Sequence, residues 1–200
     1  MPNTEYCCEP WERPVCIGQR FERFFGSEKM AIAESLLAEF EQESGPTRKF
    51  LERVPEDKLT WKAHEKSMTV GQLAMHMASF PGGVAQLAMQ GEFQIPDFNR
   101  PNPQPQSVKE ILGALDESIT TVRSVLSKAT DEQLTAPWKM KKGEKVVLEI
   151  PRAAFLRTIL LNHWYHHRGQ LGVYLRLLGA KVPATYGPSG DELPAFLGDV

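Results

Sequence analysis

Apolar residues recur at spacings of three and four along four stretches of the chain, the signature of amphipathic helices. The first stretch predicts a helix over about Ala31 to Val54. Leu36, Leu37, Phe40, Thr47, Phe50, Leu51 and Val54 fall on one side, with acids and Lys49 on the other, and Gly45-Pro46 kinks the helix without ending it. Pro55-Glu56-Asp57 starts a short turn. The second helix opens at Thr69, which forms a T-x-x-Q capping box with Gln72. Its stripe is Leu73, His76, Phe80, Gly83, Val84 and Leu87, and Pro81 predicts a kink or short break. A third begins at the Ser107/Glu110 capping box and carries Ile111, Leu112, Leu115, Ile119, Val122 and Leu126. The fourth, Leu156 to Leu178, carries Leu156, Ile159, Leu160, His163, His167, Gln170, Leu171, Tyr174, Leu177 and Leu178 on one side.

The connections complete the expectation. Gly91 to Gln106 holds four prolines without a period and reads as a long extended crossover. Thr130 to Leu134 adds a short turn. Trp138 to Ile150 alternates as a small β-hairpin turning at Lys142-Gly143, and Pro151 sits near the start of the last helix. Gly179 is placed to end that helix. The predicted fold is therefore all-α: a four-helix bundle over residues 30–180, with a long crossover between helices two and three and a hairpin before helix four. Residues 1–29, with no sustained period, read as a loosely ordered extension, and Met30 as an alternative natural start. Residues 181–200 read as a tail.

Composition narrows the function classes. At 200 residues the chain suits one domain, and 42% hydrophobic with 24% charged residues is ordinary for a globular protein. A formal net charge of −2 gives no global field for nucleic acid or an anionic membrane. No run of apolar residues is long enough to span a bilayer, and the N-terminus has no signal-peptide pattern. Cys7, Cys8 and Cys16 are an odd cluster of no standard zinc spacing, and with no disulfide framework the expected compartment is the cytoplasm.

The candidate chemistry lies in the histidines. His163 and His167 are four apart and leave neighbouring turns of one helix face, with Cβ atoms about 5–6 Å apart. Such a pair can converge on a metal, but spacing alone points more often to hydrogen-bonded core histidines. His76, inside the apolar face of another long helix, is the third donor that the metal reading requires. No Ser or Cys accompanies the histidines as a nucleophile, and no Glu follows them as in H-E-x-x-H.

Thr69-Val70-Gly71-Gln72-Leu73-Ala74-Met75-His76 and His163-Trp164-Tyr165-His166-His167-Arg168-Gly169-Gln170-Leu171 resemble the two signatures of the DinB-like (DinB/YfiT) family. The resemblance covers Ala31 to Gly179, and H-x-x-x-H-R-G-Q is its more specific part. It implies a four-helix bundle, often a homodimer, holding a divalent metal on His76, His163 and His167, with zinc or nickel foremost. Three neutral imidazoles leave coordination positions open, as in catalytic rather than structural zinc sites. The resemblance also implies a small-molecule substrate, and family members include transferases and isomerases that use low-molecular-weight thiols. A thiol transferase or hydrolase is therefore the first reading, and a non-catalytic small-ligand-binding or stress-response protein the alternative. Gln170 either orients a ligand histidine or bound water, or is a core amide; Tyr174 offers a hydroxyl or plain packing. His166 is expected to be partly exposed, His64 to lie in a surface loop, and Arg168 to pair with an acid on another helix or across a dimer contact.

Overall fold

The computed structural model describes residues 31–96, 102–194 and 197. The expectations for the extension before Met30 and for its cysteines lie outside the described residues. The fold is mostly helical. Helix α1 spans Ile32–Glu52, α2 Val70–Ala88, α3 Val108–Leu126 and the short α4 Asp131–Thr135. Strands β1 (Glu92–Gln94), β2 (Pro137–Lys142) and β3 (Lys145–Pro151) form a three-stranded sheet in the order β1-β2-β3. The last helical stretch starts as α5 (Arg152–Phe155), passes through a π-helical segment at Leu156–Asn162, and continues as α6 (His163–Leu177). Helix α2 packs along α3 and against α6, and α1 packs against α3 and α6.

The predicted caps form. Thr69 Oγ1 accepts from Gln72 N at 3.0 Å while Gln72 Oε1 accepts from Thr69 N at 3.0 Å. Ser107 Oγ accepts from Glu110 N at 3.1 Å, but Glu110 returns its carboxylate to Gln106 N at 2.7 Å rather than to Ser107, so this box is only half closed. Helix α6 ends at Gly179, whose φ of +72° suits glycine, with Ala180 N donating to Leu175 O at 3.0 Å in a Schellman arrangement. Gly71 is needed for closeness rather than for φ. A Cβ there would stand 2.7 Å from Leu59 O, so glycine lets the first turn of α2 seat on the preceding turn.

Helix α2 runs through Pro81 without the predicted break. Proline at position 81 deprives the Met77 carbonyl of its i+4 donor. Trp164 of α6 supplies the substitute: its indole Nε1–H donates to Met77 O at 2.8 Å. The buried carbonyl is satisfied, and α6 is keyed to α2 at one fixed register.

Four further expectations are corrected. The crossover is not wholly extended coil, because β1 pairs in parallel with β2 from Glu92↔Lys139 to Gln94↔Lys141, so the fold is not purely α. The hairpin turns one residue later than expected, on Gly143-Glu144, with Lys142 paired to Lys145. The buried face of the last helix is also rotated from the predicted stripe. Leu156, Leu160, His167, Leu171 and Tyr174 of that stripe are buried, but Leu161, Trp164, Arg168 and Leu175 join them, while Leu177 is 62% exposed. A uniform α phase cannot be carried from Leu156 through a π segment, whose turns hold an extra residue. The stripe of α2 is broader than predicted as well. Met77, Ala78, Ala85 and Ala88 are buried, and Gly83 faces solvent.

Candidate metal site

His76 stands two turns into α2, and His163 and His167 open α6. The capping box fixes where α2 starts, and the Trp164–Met77 bond fixes α6 against it, so the three imidazoles are set by backbone register. Their Nε2 atoms meet. His163 Nε2 lies 3.1 Å from His76 Nε2 and 3.0 Å from His167 Nε2. The rings cross near right angles, at 75°, 89° and 85°, so their nitrogens point inward instead of the rings stacking. Two nitrogens bound at roughly 2.0–2.1 Å to one tetrahedral ion stand about 3.3–3.4 Å apart, within a few tenths of an ångström of this arrangement. Among the described residues, this is the cluster of histidine, cysteine or acidic groups placed to hold an ion.

The donor chemistry fits a cation. Gln170 Oε1, which can only accept, lies 2.9 Å from His167 Nδ1, so Nδ1 carries the proton and Nε2 presents its lone pair. In the same arrangement the Gln170 Nε2–H donates to the Tyr174 hydroxyl at 3.3 Å, extending the chain of hydrogen bonds. His163 Nε2 can carry one proton at most, which cannot fully serve two nitrogens on different sides. A divalent ion between the three would accept all three lone pairs at once.

The electrostatics point the same way. Burial, followed by the neighbouring His167 and His163, pushes His76 down to about 4. Burial, then His167 and His166, pushes His163 down to about 4. Burial also lowers His167, against the opposing effect of the hydrogen bond it donates to Gln170. All three are neutral at pH 7, the form that ligates. His76 and His163 are half-buried and His167 is buried, so the triad sits at the rim of the α2–α6 contact rather than in the middle of a core stripe.

The other expected residues fall into place as follows. Gln170 orients a candidate ligand, as one of its two readings held, and Tyr174 orients Gln170 while meeting Trp61 edge-on at 5.5 Å. His166 is exposed, with its ring 5.0 Å from that of His167, and it is outside the converging set. His64 is exposed in a turn, and its Nδ1 accepts from Lys66 N at 3.2 Å. Arg168 pairs with an acid on another helix: Nη2 lies 2.6 Å from Glu43 Oε2 of α1, with the two side chains only 5% and 6% exposed. Tyr186 joins this pair, donating to Glu43 Oε2 at 2.6 Å and meeting Arg168.

Several contributors were missed by reading the sequence. Phe80 packs on two of the imidazoles, its ring 4.7 Å from His76 and 4.6 Å from His163. Glu43 was assigned to the solvent side with the other acids, and Trp164 was not singled out. Pro81, lying four residues after Met77, did carry a signal, since it announces a carbonyl in need of a donor.

Comparisons with known proteins identify the family. The model of the DinB family matches residues 27–194. An uncharacterized protein of Bacillus subtilis strain 168, YrdA, is 26% identical over 164 residues, which cover 82% of this chain and 93% of that one. Among solved structures, a DinB-like protein from Bacillus cereus ATCC 10987 matches with a TM-score of 0.59 and 28% identity over 76% of this chain and 97% of its own. A DinB-like protein from Bacillus subtilis, YjoA, matches with a TM-score of 0.58 over 75% and 96%, and at 20% identity it speaks for the fold alone. With a family match over residues 27–194 and the three histidines of both signatures gathered at one point, the chain belongs to the DinB family.

Proposed function

We propose that the protein binds a divalent metal ion, zinc or nickel foremost, through Nε2 of His76, His163 and His167, and uses it to act on a small molecule. The reaction class we favour joins a low-molecular-weight thiol to an electrophile, with hydrolysis second. The observation that carries this reading is the convergence of three neutral imidazole nitrogens from two helices at a half-exposed rim. Helices α1, α2, α3 and α6 are read as a four-helix bundle, supported by their mutual packing, with β1 and the crossover between α2 and α3.

An ion held there supplies a Lewis acid with open positions for a thiol or a water. The chain's own residues do the rest. Gln170 and Tyr174 hold His167 in its ligating tautomer, and Phe80 gives the site an apolar wall against His76 and His163. Among the described residues there is no cysteine, and the neighbours Phe80, Gln170 and His166 include no hydroxyl or thiol to act as a nucleophile. In this reading the attacking group is a thiol or water bound at the open positions.

Elemental analysis of untagged protein tests the ligand set. One equivalent of metal is expected, lost in His76→Ala, His163→Ala and His167→Ala and kept in His64→Ala and His166→Ala. Full occupancy in any of the first three would refute the assignment. A panel of thiols with a chromogenic electrophile then tests turnover against His167→Ala. The second reading, a metal that only clamps α2 to α6, is favoured by the ligands coming from both helices. It predicts metal-dependent thermal stability with no rate above that control.

A further inference from the structure

The strip that leads from the three histidines toward the start of α2 is furnished with hydrogen-bond donors. Gln72 stands one turn before His76 on α2, and Gln170 one turn after His167 on α6, both half-buried. The oxygens of both amides are committed. Gln72 Oε1 accepts from Thr69 N at 3.0 Å, and Gln170 Oε1 takes the Nδ1–H of His167 at 2.9 Å. Each NH2 spends one proton, on Asn102 O at 3.0 Å and on the Tyr174 hydroxyl at 3.3 Å. Its second proton has no acceptor among the described residues, and neither has the hydroxyl proton of Tyr174.

Trp61 closes the strip. Its indole meets Tyr174 edge-on at 5.5 Å. Its backbone is clamped, with Trp61 N donating to Lys58 O at 2.8 Å and Val70 N donating to Trp61 O at 2.9 Å. Trp138 and Trp164 spend their indole N–H on carbonyls of α2, those of Leu87 and Met77. The N–H of Trp61 has no such acceptor among the described residues. No buried side-chain polar atom there lacks a partner, so this N–H of a half-buried residue reaches solvent. Neither α2 nor α6 carries an acidic residue, so no carboxylate of these helices faces the donors or offsets a cation on the histidines. Lys62, exposed beside Trp61, adds a positive charge at that end. Donors without acceptors, in positive surroundings, fit an anion.

We infer that this strip holds the tail of the thiol substrate, that the tail ends in a carboxylate, and that Trp61 selects it by donating its indole N–H. This rests on the reading of the histidine site as a metal centre for a thiol. Tyr174, which Trp61 touches, is seven residues beyond His167, or about 10 Å along the helix. A thiol must span about that distance from sulfur to carboxylate to occupy both ends.

Calorimetric titration of the zinc-loaded protein tests it, using ω-mercaptoalkanoates of increasing length and the ω-mercaptoalkanols of the same lengths. The two series share sulfur and chain and differ only in the tail group. At a span of about 10 Å the acid should bind at least about tenfold tighter than the alcohol, the scale of a hydrogen bond to a charged group. For the shortest pair the two affinities should be equal. Trp61→Phe keeps a ring against Tyr174 and deletes the N–H. It should close most of the gap for the long pair and leave the affinity for the alcohol unchanged, its thermal midpoint showing that it is folded. Equal affinities for acid and alcohol at every length would overturn the inference and leave the thiol reading standing. So would a gap that Trp61→Phe leaves intact. No binding by either series, or binding undiminished in His167→Ala, would overturn the thiol reading and this inference with it.

Discussion

Removing the indole donor of Trp164 measures how firmly α6 is keyed to α2. Trp164→Phe keeps an aromatic ring against Phe40, whose centroid lies 4.9 Å from that of Trp164, but deletes the donor 2.8 Å from Met77 O. Met77 O is then a buried acceptor with no partner, since the residue four positions on is Pro81. Leaving such a group unsatisfied costs about 1–3 kcal/mol. The smaller ring adds a packing loss of its own, so the single variant cannot isolate the hydrogen bond. Pro81→Ala can. Alanine restores an N–H four residues after Met77, so in that background the carbonyl has a partner whether or not the indole is present. The packing loss is common to both backgrounds and cancels in the cycle. The penalty of Trp164→Phe should therefore be smaller by about 1–3 kcal/mol in the Pro81→Ala protein. At about 2–4 °C per kcal/mol for a chain of this size, the two thermal shifts should differ by roughly 2–12 °C. Equal penalties in the two backgrounds would refute the claim that the indole replaces the donor missing at Pro81.

Three other outcomes are expected. Gln170→Leu should weaken metal binding by about 10–100-fold in competition with a chromophoric chelator, whereas Gln170→Glu, still an acceptor for His167 Nδ1–H, should match or exceed the parent. Glu43→Ala should cost about 3–5 kcal/mol by stranding the buried Arg168 guanidinium, and adding Arg168→Met should return most of it in denaturant titrations. His76 and His163 titrate near 4 in the fold against about 6.5 unfolded, so the unfolded metal-free chain binds more protons between those values. Its thermal stability should therefore be full above about pH 6.5 and fall as pH drops toward 4, and His76→Asn should flatten that slope.

The helices and the three candidate ligands were legible because each rests on a local rule. Caps at Thr69 and Ser107 mark helix starts, and i, i+4 spacing sets His163 beside His167. The errors arose where a local rule was overruled by something distant in sequence. A periodic reading of the last helix carries one phase from end to end, and the π segment at Leu156–Asn162 breaks that phase. Glu43 reads as surface because acids usually are, and only the arrival of Arg168, 125 residues away, makes its burial tolerable. Strand β1 has three residues and no pattern of its own, and it exists because β2 offers an edge.

The same comparison bears on why the site lies where it does. A triad in the middle of a core stripe would be closed to any substrate, and a triad on the open surface would lack the burial that keeps its imidazoles neutral. Placing it at the rim requires the buried face of α6 to be turned so that Trp164, Leu171 and Leu175 occupy the interior. His163 is then left half-buried beside Phe80. Trp164 follows His163 directly, so the bond that satisfies Met77 also sets the rotation of α6 that aims His163 at His76. Proline at position 81 is thus part of the arrangement of the site as well as of the helix. It vacates the acceptor on α2 that the indole of α6 takes up, and the histidines of the two helices meet at the register so set.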